Sequence, residues 1–473
     1  MYLNKDTFLD TETARQLYHE VAADMPIIDF HTHLPQQDIL DDHRFADLWE
    51  LWLKHDHYKW RLMRGCGINE ERITGNASPW EKFQAFASIM PLAVGNPVHH
   101  WAHLELQRVF GIDTVLSADT AEDVWNNANQ QLHSDPSLSV RGLLKKFNVE
   151  IVCTTDDPAS DLSPHEQLAA EATTQTLPTF RPDMAMAIDR PAQFNTWLKQ
   201  LAERSGIRIT DYSHLLKALK NRHDDFHKVG CRLSDHGLPY CPNGSQNGKS
   251  SYIELDQIFQ NAMHGNAPES PDHWQHFAAD IMQQIAAWNT EKGWTMQLHL
   301  GPLRSVNHTM FSQLGPDSGF DTMGAWPQTQ ALVDFLSTLE NNSSLPRTIV
   351  YNLNPNESSA ICCALQNFQD ATTAGKMQYG PAWWHLDHKR GIIDQLEILM
   401  SLGSLGTSVG MLTDSRSFTS YVRHEYFRRI FCGMIGRAVE GGEIPNNPAM
   451  LRTLIEGVCY RNASQYFQWP KKP

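Results

Sequence analysis

Two histidines spaced two residues apart are the first feature of the sequence that could do metal chemistry. His31 and His33 close a short apolar run that begins at Ile27, and Asp29 lies on the same side of that run. Successive side chains of a β-strand point to opposite faces, so both imidazoles would share one face at the strand's carboxyl end. Such a pair is suited to a divalent metal ion. Pairs of this spacing also occur as ordinary polar strand ends, so the pair alone does not establish a metal site.

Asp414 is the residue best placed to complete a metal site with the two histidines. It follows residues 408–412, an apolar run that we predict as the last strand. In a closed barrel the last strand lies beside the first. Two imidazoles and one carboxylate leave positions open on a metal ion, as catalysis requires. The alternative is that Asp414 caps the helix predicted after it.

Other side chains that could act on a ligand follow other predicted strands. His299 could bind a metal ion or a substrate hydroxyl, or it could be a hydrogen-bonded histidine of the core. Arg181, Arg304 and Arg416 each come just after a strand. Guanidinium groups bind carboxylates through two hydrogen bonds, so three arginines at one edge predict an acidic substrate. Any one of them, taken alone, is typical of the surface.

The elements that must position these residues form a repeating pattern of an apolar strand followed by a helix. Eight such units predict an α/β fold, a (β/α)8 TIM-type barrel in which reactive side chains gather at the strand ends. The predicted strands begin at Ile27 and cover residues 149–153, 177–180, 229–233, 294–298, 348–351, 377–379 and 408–412, after a first helix over residues 10–23. We predict one elaborated domain, residues 1–473, with a helical insertion at 41–147 and closing helices at 417–473 packed on the barrel.

Composition narrows the range of partners. The 473 residues are 41% hydrophobic and 20% charged, which is typical of a globular chain. A formal net charge of −15 argues against a nucleic-acid partner. The eight cysteines include no Cys-x-x-Cys pair, and the chain has neither a signal-peptide pattern nor a membrane-spanning apolar run. We therefore expect a cytoplasmic protein with no membrane partner.

Two further motifs are less informative. His99, His100 and His103 have the spacing of helical metal ligands, but a solvated or capping role in the insertion is the simpler interpretation. Residues 406–410 match the G-x-S-x-G pattern of serine hydrolases, yet the strand is predicted after the serine and not before it. Neither motif supports a second active site.

Eight strings in chain order resemble the uronate isomerase (glucuronate isomerase) family of the amidohydrolase superfamily. They are residues 31–33 (HTH), 100–106 (HWAHLEL), 154–158 (TTDDP), 180–183 (FRPD), 234–237 (SDHG), 297–304 (QLHLGPLR), 410–418 (GMLTDSRSF) and 424–429 (HEYFRR). The resemblance covers the chain from the first strand to the last helices. Pro302 and Val306 depart from it, in a loop where small or amide residues are expected.

The resemblance implies an aldose–ketose isomerase that interconverts D-glucuronate and D-fructuronate, and D-galacturonate and D-tagaturonate. It implies one divalent metal ion, expected to be Zn²⁺, a uronic acid substrate and a barrel of the amidohydrolase kind; we also expect a homo-oligomer. The implied metal ligands are His31, His33 and Asp414; the implied substrate and proton-transfer residues are Tyr58, Arg181, Asp235, His299, Arg304, Trp383 and Arg416.

The chemistry of the isomerisation fits these residue types. A proton moves from C2 to C1 through an enediolate, whose negative oxygen must be stabilised as it forms. We assign Asp414 as the base, acting directly or through a metal-bound water, while Tyr58 and His299 exchange the hydroxyl protons. Which arginine holds the substrate carboxylate stays open.

Two alternatives remain. A metal-dependent hydrolase of the same superfamily usually adds histidines at the fourth and sixth strand ends. Here those ends carry Asp235, then His236, and Asn354, which poorly supports a second metal ion. The other alternative, a non-catalytic sensor of sugar acids, would bind a uronate without converting it, and the sequence contains no separate signalling module.

Overall fold

Parallel β-strands connected by helices form the centre of the protein in a computed structural model that describes residues 2–171, 173–242 and 252–471. The strands are β1 Ile27–Asp29, β2 Val149–Cys153, β3 Gln175–Leu177, β4 Leu233–Leu238, β5 Thr295–Leu300, β6 Pro302–Leu303, β7 Thr322–Met323, β8 Arg347–Asn352 and β9 Met377–Tyr379. The first residue and the last two residues of the predicted domain lie outside the described residues.

Two parallel sheets and one small antiparallel sheet contain all the strands of the described residues. One parallel sheet has the order β1-β2-β3, the other has the order β4-β5-β8-β9, and β6 pairs with β7. Phe180 links the two parallel sheets, because it forms parallel bridges with both Asp156 and Ser234. The α/β class is therefore as predicted, and the paired β6 and β7 were not predicted.

The predicted strand at residues 408–412 is wrong as a hydrogen-bonded strand, because no ladder forms along it. Side chains take the place of a ladder. The Gln378 amide oxygen accepts a hydrogen bond from Val409 N at 3.4 Å. Asp29 Oδ1 accepts one from Thr413 N at 2.9 Å. The segment therefore runs between β9 and β1, in the position predicted for it.

The predicted strand at residues 229–233 is also wrong. Val229 is the C-cap of a helix that ends at Lys228, and β4 begins only at Leu233. The apolar character of Val229 and Cys231 comes from the helix end and the following turn. β4 itself contains the polar residues Ser234, Asp235 and His236, all fully buried. The third predicted strand is confirmed with a shift, since β3 starts two residues early and Phe180 forms only an isolated bridge.

The regular elements between β1 and β2 are all helices, and no strand forms among residues 30–148. With the helix that precedes β1, they are α1 Glu12–Leu17, α2 Gln36–Leu40, α3 Leu48–Trp52, α4 His57–Gly65, α5 Pro79–Ser88, α6 Pro97–Phe110, α7 Ala121–Ser134 and α8 Val140–Lys146. Local sequence starts several of them: Ser78 and Glu81 form a capping box on α5. The buried rings of Trp52 and Trp101 belong to the hydrophobic core of this segment.

The remaining helices alternate with the strands and then close the chain. They are α9 Ser163–Glu171, α10 Pro191–Ser205, α11 Tyr212–Lys228, α12 Tyr252–Met263, α13 Pro271–Lys292, α14 His308–Leu314, α15 Gln328–Asn341, α16 Ser358–Gln366, α17 Lys389–Leu402, α18 Val422–Glu440, α19 Pro448–Glu456 and α20 Asn462–Tyr466. Short 3₁₀-helices cover Glu70–Arg72, Met90–Leu92, Pro136–Leu138, Asp183–Met186, Pro355–Glu357, Trp384–Leu386 and Leu405–Thr407, and π-helical turns cover Tyr18–Ala22 and Gly457–Arg461.

Helix α18 is the buried closing element, and it packs on α1 and α6. At Gly436 a Cβ atom would lie 2.5 Å from Thr11 Oγ1, so only glycine allows this approach of the two helices. Thr11 in turn caps α1 by accepting a hydrogen bond from Ala14 N at 3.1 Å. Among the described helices we find none with the length and apolar composition of a membrane span.

Candidate active site

Asp414 lies at the centre of a group of hydrogen-bond donors that come from three distant parts of the sequence. His31 Nε2 and His33 Nε2 each lie 3.2 Å from Asp414 Oδ1. The other oxygen, Oδ2, accepts hydrogen bonds from Trp383 Nε1 at 3.0 Å and from Tyr58 OH at 3.3 Å. Five residues predicted from sequence therefore meet at one carboxylate.

The backbone holds this group together at the carboxyl end of β1. The Asp414 amide donates to the His31 carbonyl at 3.1 Å, and the His33 amide donates to the Ser415 carbonyl at 2.9 Å. Both histidines lie past the end of β1, so their shared direction comes from this pairing and not from strand alternation. Asp414 has a φ of 49°, which is uncommon for a residue with a Cβ atom.

Asp235, on β4, is a second buried carboxylate beside the first. It accepts hydrogen bonds from Arg181 Nη1 at 3.0 Å and from His299 Nδ1 at 2.6 Å. Its Oδ2 atom lies 3.5 Å from His31 Nδ1, so His31 stands between the two carboxylates. Arg181 is further bound to Asp183 at 2.9 Å.

Both carboxylates are held ionised by their donors. Burial raises the pKa of Asp414, but hydrogen bonds to His31 and His33 outweigh burial and keep the pKa well below its usual value. Burial also raises the pKa of Asp235, and the charges of Arg181, His299 and His31 reverse that effect. The site therefore contains two anionic carboxylates on either side of His31.

The pKa values of the three imidazoles are shifted in different directions. Burial lowers the pKa of His31, yet Asp235 and Asp414 outweigh burial and raise it. Burial, assisted by the guanidinium of Arg416, lowers the pKa of His33 to about 3. Burial lowers the pKa of His299 to about 4. His33 and His299 are therefore neutral at pH 7, and neutral imidazole is the form that binds metal ions.

The residues present fit a divalent metal ion. One ligand atom from each of His31, His33 and Asp414 can approach a common point, and His31, Asp235 and His299 form a second such group. The nitrogen-to-oxygen distances of 3.2 Å around Asp414 Oδ1 are close to the separation of about 3.3–3.4 Å between two ligands of one tetrahedral zinc ion. His299 lines the cavity, its Nε2 atom is buried without a hydrogen-bond partner, and its ring centre lies 4.4 Å from that of His31.

A cavity of about 900 Å³ opens over this group and is lined by all three predicted arginines. Arg304 donates to Asp321 at 3.1 Å and lies 4.6 Å from the centre of the Trp384 ring. Arg416 Nη1 lies 3.0 Å from His57 Nε2. Among the described residues no carboxylate pairs with Arg416, whereas Arg181 and Arg304 each have carboxylate partners. Of the three predicted arginines, Arg416 is thus the one whose guanidinium is available to bind the carboxylate of a ligand.

His57 is a site residue that the sequence did not reveal. It lines the cavity, contacts Arg416 and stacks on the Tyr58 ring with the two ring centres 5.0 Å apart. It lies at the start of α4, where Asp56 caps the helix. The only signal was its position next to Tyr58, since nothing in the local pattern distinguishes it from a helix-start histidine.

The helical histidines have a structural role, and they are more buried than predicted. His103 accepts a hydrogen bond from Leu116 N at 2.9 Å and contacts the His99 carbonyl at 2.6 Å. His99 bonds to Tyr2 at 2.7 Å. Both histidines are buried, so the prediction of a solvated role is wrong for them. Neither belongs to a group of metal ligands among the described residues.

Comparisons with known proteins agree on one family. The family model described as glucuronate isomerase matches residues 1–467. A uronate isomerase from Opitutus terrae is 45% identical over 473 residues, covering 100% of this chain and 98% of the relative. The crystal structure of a uronate isomerase from Thermotoga maritima has a TM-score of 0.92 at 34% identity, covering 99% of this chain and 100% of that one. A glucuronate isomerase structure from Caulobacter crescentus shares the fold, with a TM-score of 0.89 at 24% identity over 100% of this chain and 98% of that one. The family model and the relatives match the chain over almost its full length. The chain therefore belongs to the glucuronate isomerase family.

Proposed function

We propose that this enzyme interconverts D-glucuronate and D-fructuronate, and D-galacturonate and D-tagaturonate, by moving a proton between C2 and C1 of the open-chain sugar. The observation that carries this proposal is the Asp414 carboxylate, which contacts Tyr58, Trp383 and two imidazoles and lines a cavity together with the three predicted arginines. A base, donors for the sugar oxygens and a cation for the acid group are the parts that the reaction needs.

Asp414 is the proposed base. Its two oxygens have different partners, so one oxygen can stay on the imidazole side while Oδ2, next to Tyr58 OH and Trp383 Nε1, takes the C2 proton. Burial raises the pKa of Tyr58 well above its usual value, which keeps the phenol protonated at neutral pH. A protonated phenol can donate to the developing sugar oxygen as the enediolate forms.

His299 is the proposed partner for the second hydroxyl. Its Nδ1 atom is fixed by Asp235 at 2.6 Å, and its ring stacks on Tyr351 with the centres 4.1 Å apart. This fixed orientation leaves Nε2 free to exchange a proton with the substrate. Asp235 and Arg181 then act by orienting His299 more than by touching the sugar.

Arg416 is the proposed holder of the substrate carboxylate. It lacks a carboxylate partner among the described residues, and it comes only two positions after Asp414, so the acid group and the reacting carbon would be anchored by one segment. A guanidinium binds a carboxylate through two hydrogen bonds of fixed geometry. Arg304, which is bound to Asp321 and stacked on Trp384, would contribute from the rim of the cavity.

We further propose that His31, His33 and Asp414 hold one divalent ion, expected to be Zn²⁺. When bound, such an ion supplies Lewis-acid stabilisation for a sugar oxygen that becomes negative. The neutral His33 and the ionised Asp414 are in the charge states that favour ion binding. The predicted homo-oligomer and cytoplasmic location stay predictions.

The strands are proposed to close as a (β/α)8 barrel. Support comes from the Phe180 bridges on one side and from the hydrogen bonds of residues 408–414 to Gln378, Asp29 and His31 on the other. These contacts connect the edges of the two parallel sheets in the order that a barrel requires. The division into a single domain with an insertion at 41–147 and closing helices at 417–473 remains part of this proposal.

Purified protein incubated with D-glucuronate tests the function directly. We expect the ketose D-fructuronate to form, as measured by chromatography against authentic standards. Arg190→Met is a suitable control variant, because Arg190 lines the same cavity but is exposed and contacts Asp189 and Gln193, which are themselves outside the Asp414 group. Cleavage of an ester or lactone without ketose formation would instead assign the site to a hydrolase.

A further inference from the structure

Thr413, the residue before Asp414, has every polar group bound by a charged residue that lies outside the cavity. Its amide donates to Asp29 Oδ1 at 2.9 Å and its hydroxyl donates to Asp29 Oδ2 at 2.6 Å. Its carbonyl accepts a hydrogen bond from Arg423 Nη1 at 2.9 Å. Neither Asp29 nor Arg423 lines the cavity. The backbone in front of Asp414 is therefore held from two sides.

Asp414 needs such support because of its conformation. Its φ of 49° lies in the left-handed region, which a residue with a Cβ atom seldom adopts. Unfavourable backbone conformations persist where the surrounding structure determines them more than once. The peptide between Thr413 and Asp414 provides this: Arg423 holds its carbonyl, and the His31 carbonyl holds its amide at 3.1 Å.

Arg423 also contacts the second partner of the proposed proton transfer. The residue is 3% exposed and lies in the first turn of α18. Its guanidinium carbon is 3.9 Å from the centre of the Trp101 ring and 5.5 Å from that of the Tyr58 ring. Asp387 Oδ2 accepts a hydrogen bond from Nη1 at 3.4 Å. One buried cation thus touches the residue before Asp414 and packs near the ring of Tyr58.

We propose that Arg423 is a positioning residue for the isomerisation: it sets the relative placement of the Asp414 carboxylate and the Tyr58 hydroxyl, which meet at 3.3 Å. The proposal rests on the function proposed above. Substrate carboxylate binding does not pass through Arg423, because the arginines that line the cavity are other residues. Loss of Arg423 should therefore impair the chemical step and spare substrate binding.

Arg423→Met and Arg428→Met form a matched pair of variants. Arg428 lies on the same helix, is 4% exposed, and donates to the Met25 and Pro26 carbonyls at 2.8 Å, away from Asp414. Both variants should lower the midpoint of thermal unfolding. We expect Arg423→Met to lower kcat by about 10²-fold, as a displacement of about 1 Å does, with KM nearly unchanged. Arg428→Met should keep kcat within about threefold of the unmodified protein.

Equal losses of kcat in the two variants would mean that Arg423 acts only through stability and would overturn the proposal. A rise in KM with unchanged kcat would overturn it as well. Should Arg423→Met fail to fold, Arg423→Lys and Arg428→Lys test the same support. Lysine keeps the positive charge but lacks the guanidinium that donates to the Thr413 carbonyl while it lies on the Trp101 ring, so we expect Arg423→Lys to lower kcat about tenfold with KM nearly unchanged. Arg428→Lys should keep kcat within about threefold of the unmodified protein, and equal losses of kcat in the two lysine variants would contradict the proposal.

Crystal structures of Arg423→Met and Arg428→Met, or of the two lysine variants, give a readout that does not need activity. We expect Asp414 to leave its left-handed φ, or Tyr58 OH to separate from Asp414 Oδ2, in Arg423→Met or Arg423→Lys only. An unchanged Asp414–Tyr58 pair in those variants would overturn the positioning role. Absence of glucuronate turnover in the unmodified protein would instead refute the proposed function, and this structural comparison would still decide on Arg423.

Discussion

Asp156 and Asp414 are two buried aspartates at strand ends, and their pKa values are shifted in opposite directions. Asp156 follows β2, is 3% exposed, and accepts a hydrogen bond from the Thr154 hydroxyl at 2.6 Å. Burial raises its pKa to about 7, against the effect of that hydrogen bond. Asp414 is 8% exposed, yet its pKa is held well below the usual value by the two histidines. Burial is similar, so the donors around each carboxylate decide its charge.

The difference between the two regions separates a structural carboxyl group from a reactive one. His165 Nε2 lies 3.7 Å from Asp156 and shares the Thr154 hydroxyl, so this group is closed on itself. Asp414 and its four donors form a group of five residues beside a cavity. Four of the five line that cavity: His31, His33, Trp383 and Asp414 itself. A buried aspartate at a strand end is thus a candidate base only where its donors keep it ionised and a ligand can reach it.

The largest expected effect comes from exchanging the carboxylates for amides. Asp414→Asn keeps the shape of the side chain but removes the basic oxygen, so we expect kcat for glucuronate to fall by about 10²–10⁴-fold. Asp156→Asn should keep kcat within about threefold, because an amide replaces a group that is largely protonated below neutral pH. Steady-state kinetics of the two variants, with circular dichroism to verify folding, measures the contrast. Similar losses in both would remove the distinction between the regions.

The next effect concerns the acid group of the substrate. Arg416→Met should weaken uronate binding about thirtyfold, since a partly exposed charge-assisted pair is worth about 2 kcal/mol, at the low end for such pairs. Binding of a neutral aldose should change far less. The control is Arg190→Met at the cavity rim, whose KM should stay near that of the unmodified protein. If uronate and neutral aldose lose equally, the carboxylate is held elsewhere, with Arg304 and Arg181 as the remaining choices.

A smaller effect is expected at the phenol beside Asp414. Tyr58→Phe removes a hydrogen bond to an ionised carboxylate, which lies at 3.3 Å and is therefore weak, so kcat should fall about tenfold. Tyr421→Phe is the matched control: Tyr421 is 2% exposed and its hydroxyl has no hydrogen-bond partner. Its removal should leave kcat unchanged and can raise thermal stability. Unchanged kcat in Tyr58→Phe would exclude the phenol from proton transfer.

The smallest effect is on stability and its pH dependence. The pKa of Asp156 is about 7 in the folded protein and 3.8 in an unperturbed aspartate. Between these values the folded state binds a proton that the unfolded state does not, so the free energy of unfolding falls as pH rises. The slope from this group is at most about 1.4 kcal/mol per pH unit. Asp156→Asn lacks this term, so its stability relative to the unmodified protein should increase from about pH 4 to pH 7.

Urea unfolding at several pH values within that window measures the difference between the two proteins. Burial also raises the pKa values of Asp29 and Asp387 to about 7, but their contributions to the pH dependence are the same in both proteins and cancel in the difference. A difference that decreases with pH would show that Asp156 is ionised in the folded state, and the contrast with Asp414 would fail.

The sequence predicted those parts of the fold in which hydrophobic pattern and hydrogen-bond ladder coincide. Residues 149–153 are β2 as predicted, because the run is apolar and its backbone pairs on both sides. The prediction failed at β4, because this strand contains Ser234, Asp235 and His236 in place of an apolar run, and Asp235 belongs to the candidate site. It also failed at residues 408–412, which are extended but bonded to side chains. In both cases polar side chains of the site or its supports replace the apolar pattern or the backbone ladder on which strand prediction depends.

The composition of the site was more predictable than its connections. His31, His33 and Asp414 followed from residue type and strand-end position, and the family resemblance added Tyr58 and Trp383. No local pattern could show that His57 lies beside Arg416, or that Arg423 reaches the Thr413 carbonyl, because these pairs join residues far apart in sequence. Long-range contacts of single polar groups leave no periodic signal.

Exchange of the C2 proton of D-glucuronate in D₂O tests the central claim most directly. Proton NMR follows the C2 signal and the appearance of ketose in the same sample, with the unmodified protein and with Asp414→Asn side by side. We predict that the unmodified protein replaces the C2 proton by deuterium as fructuronate forms, and that Asp414→Asn does so about 10²–10⁴-fold more slowly. A C2 signal that stays intact with the unmodified protein, or equal exchange rates in the two proteins, would contradict the account.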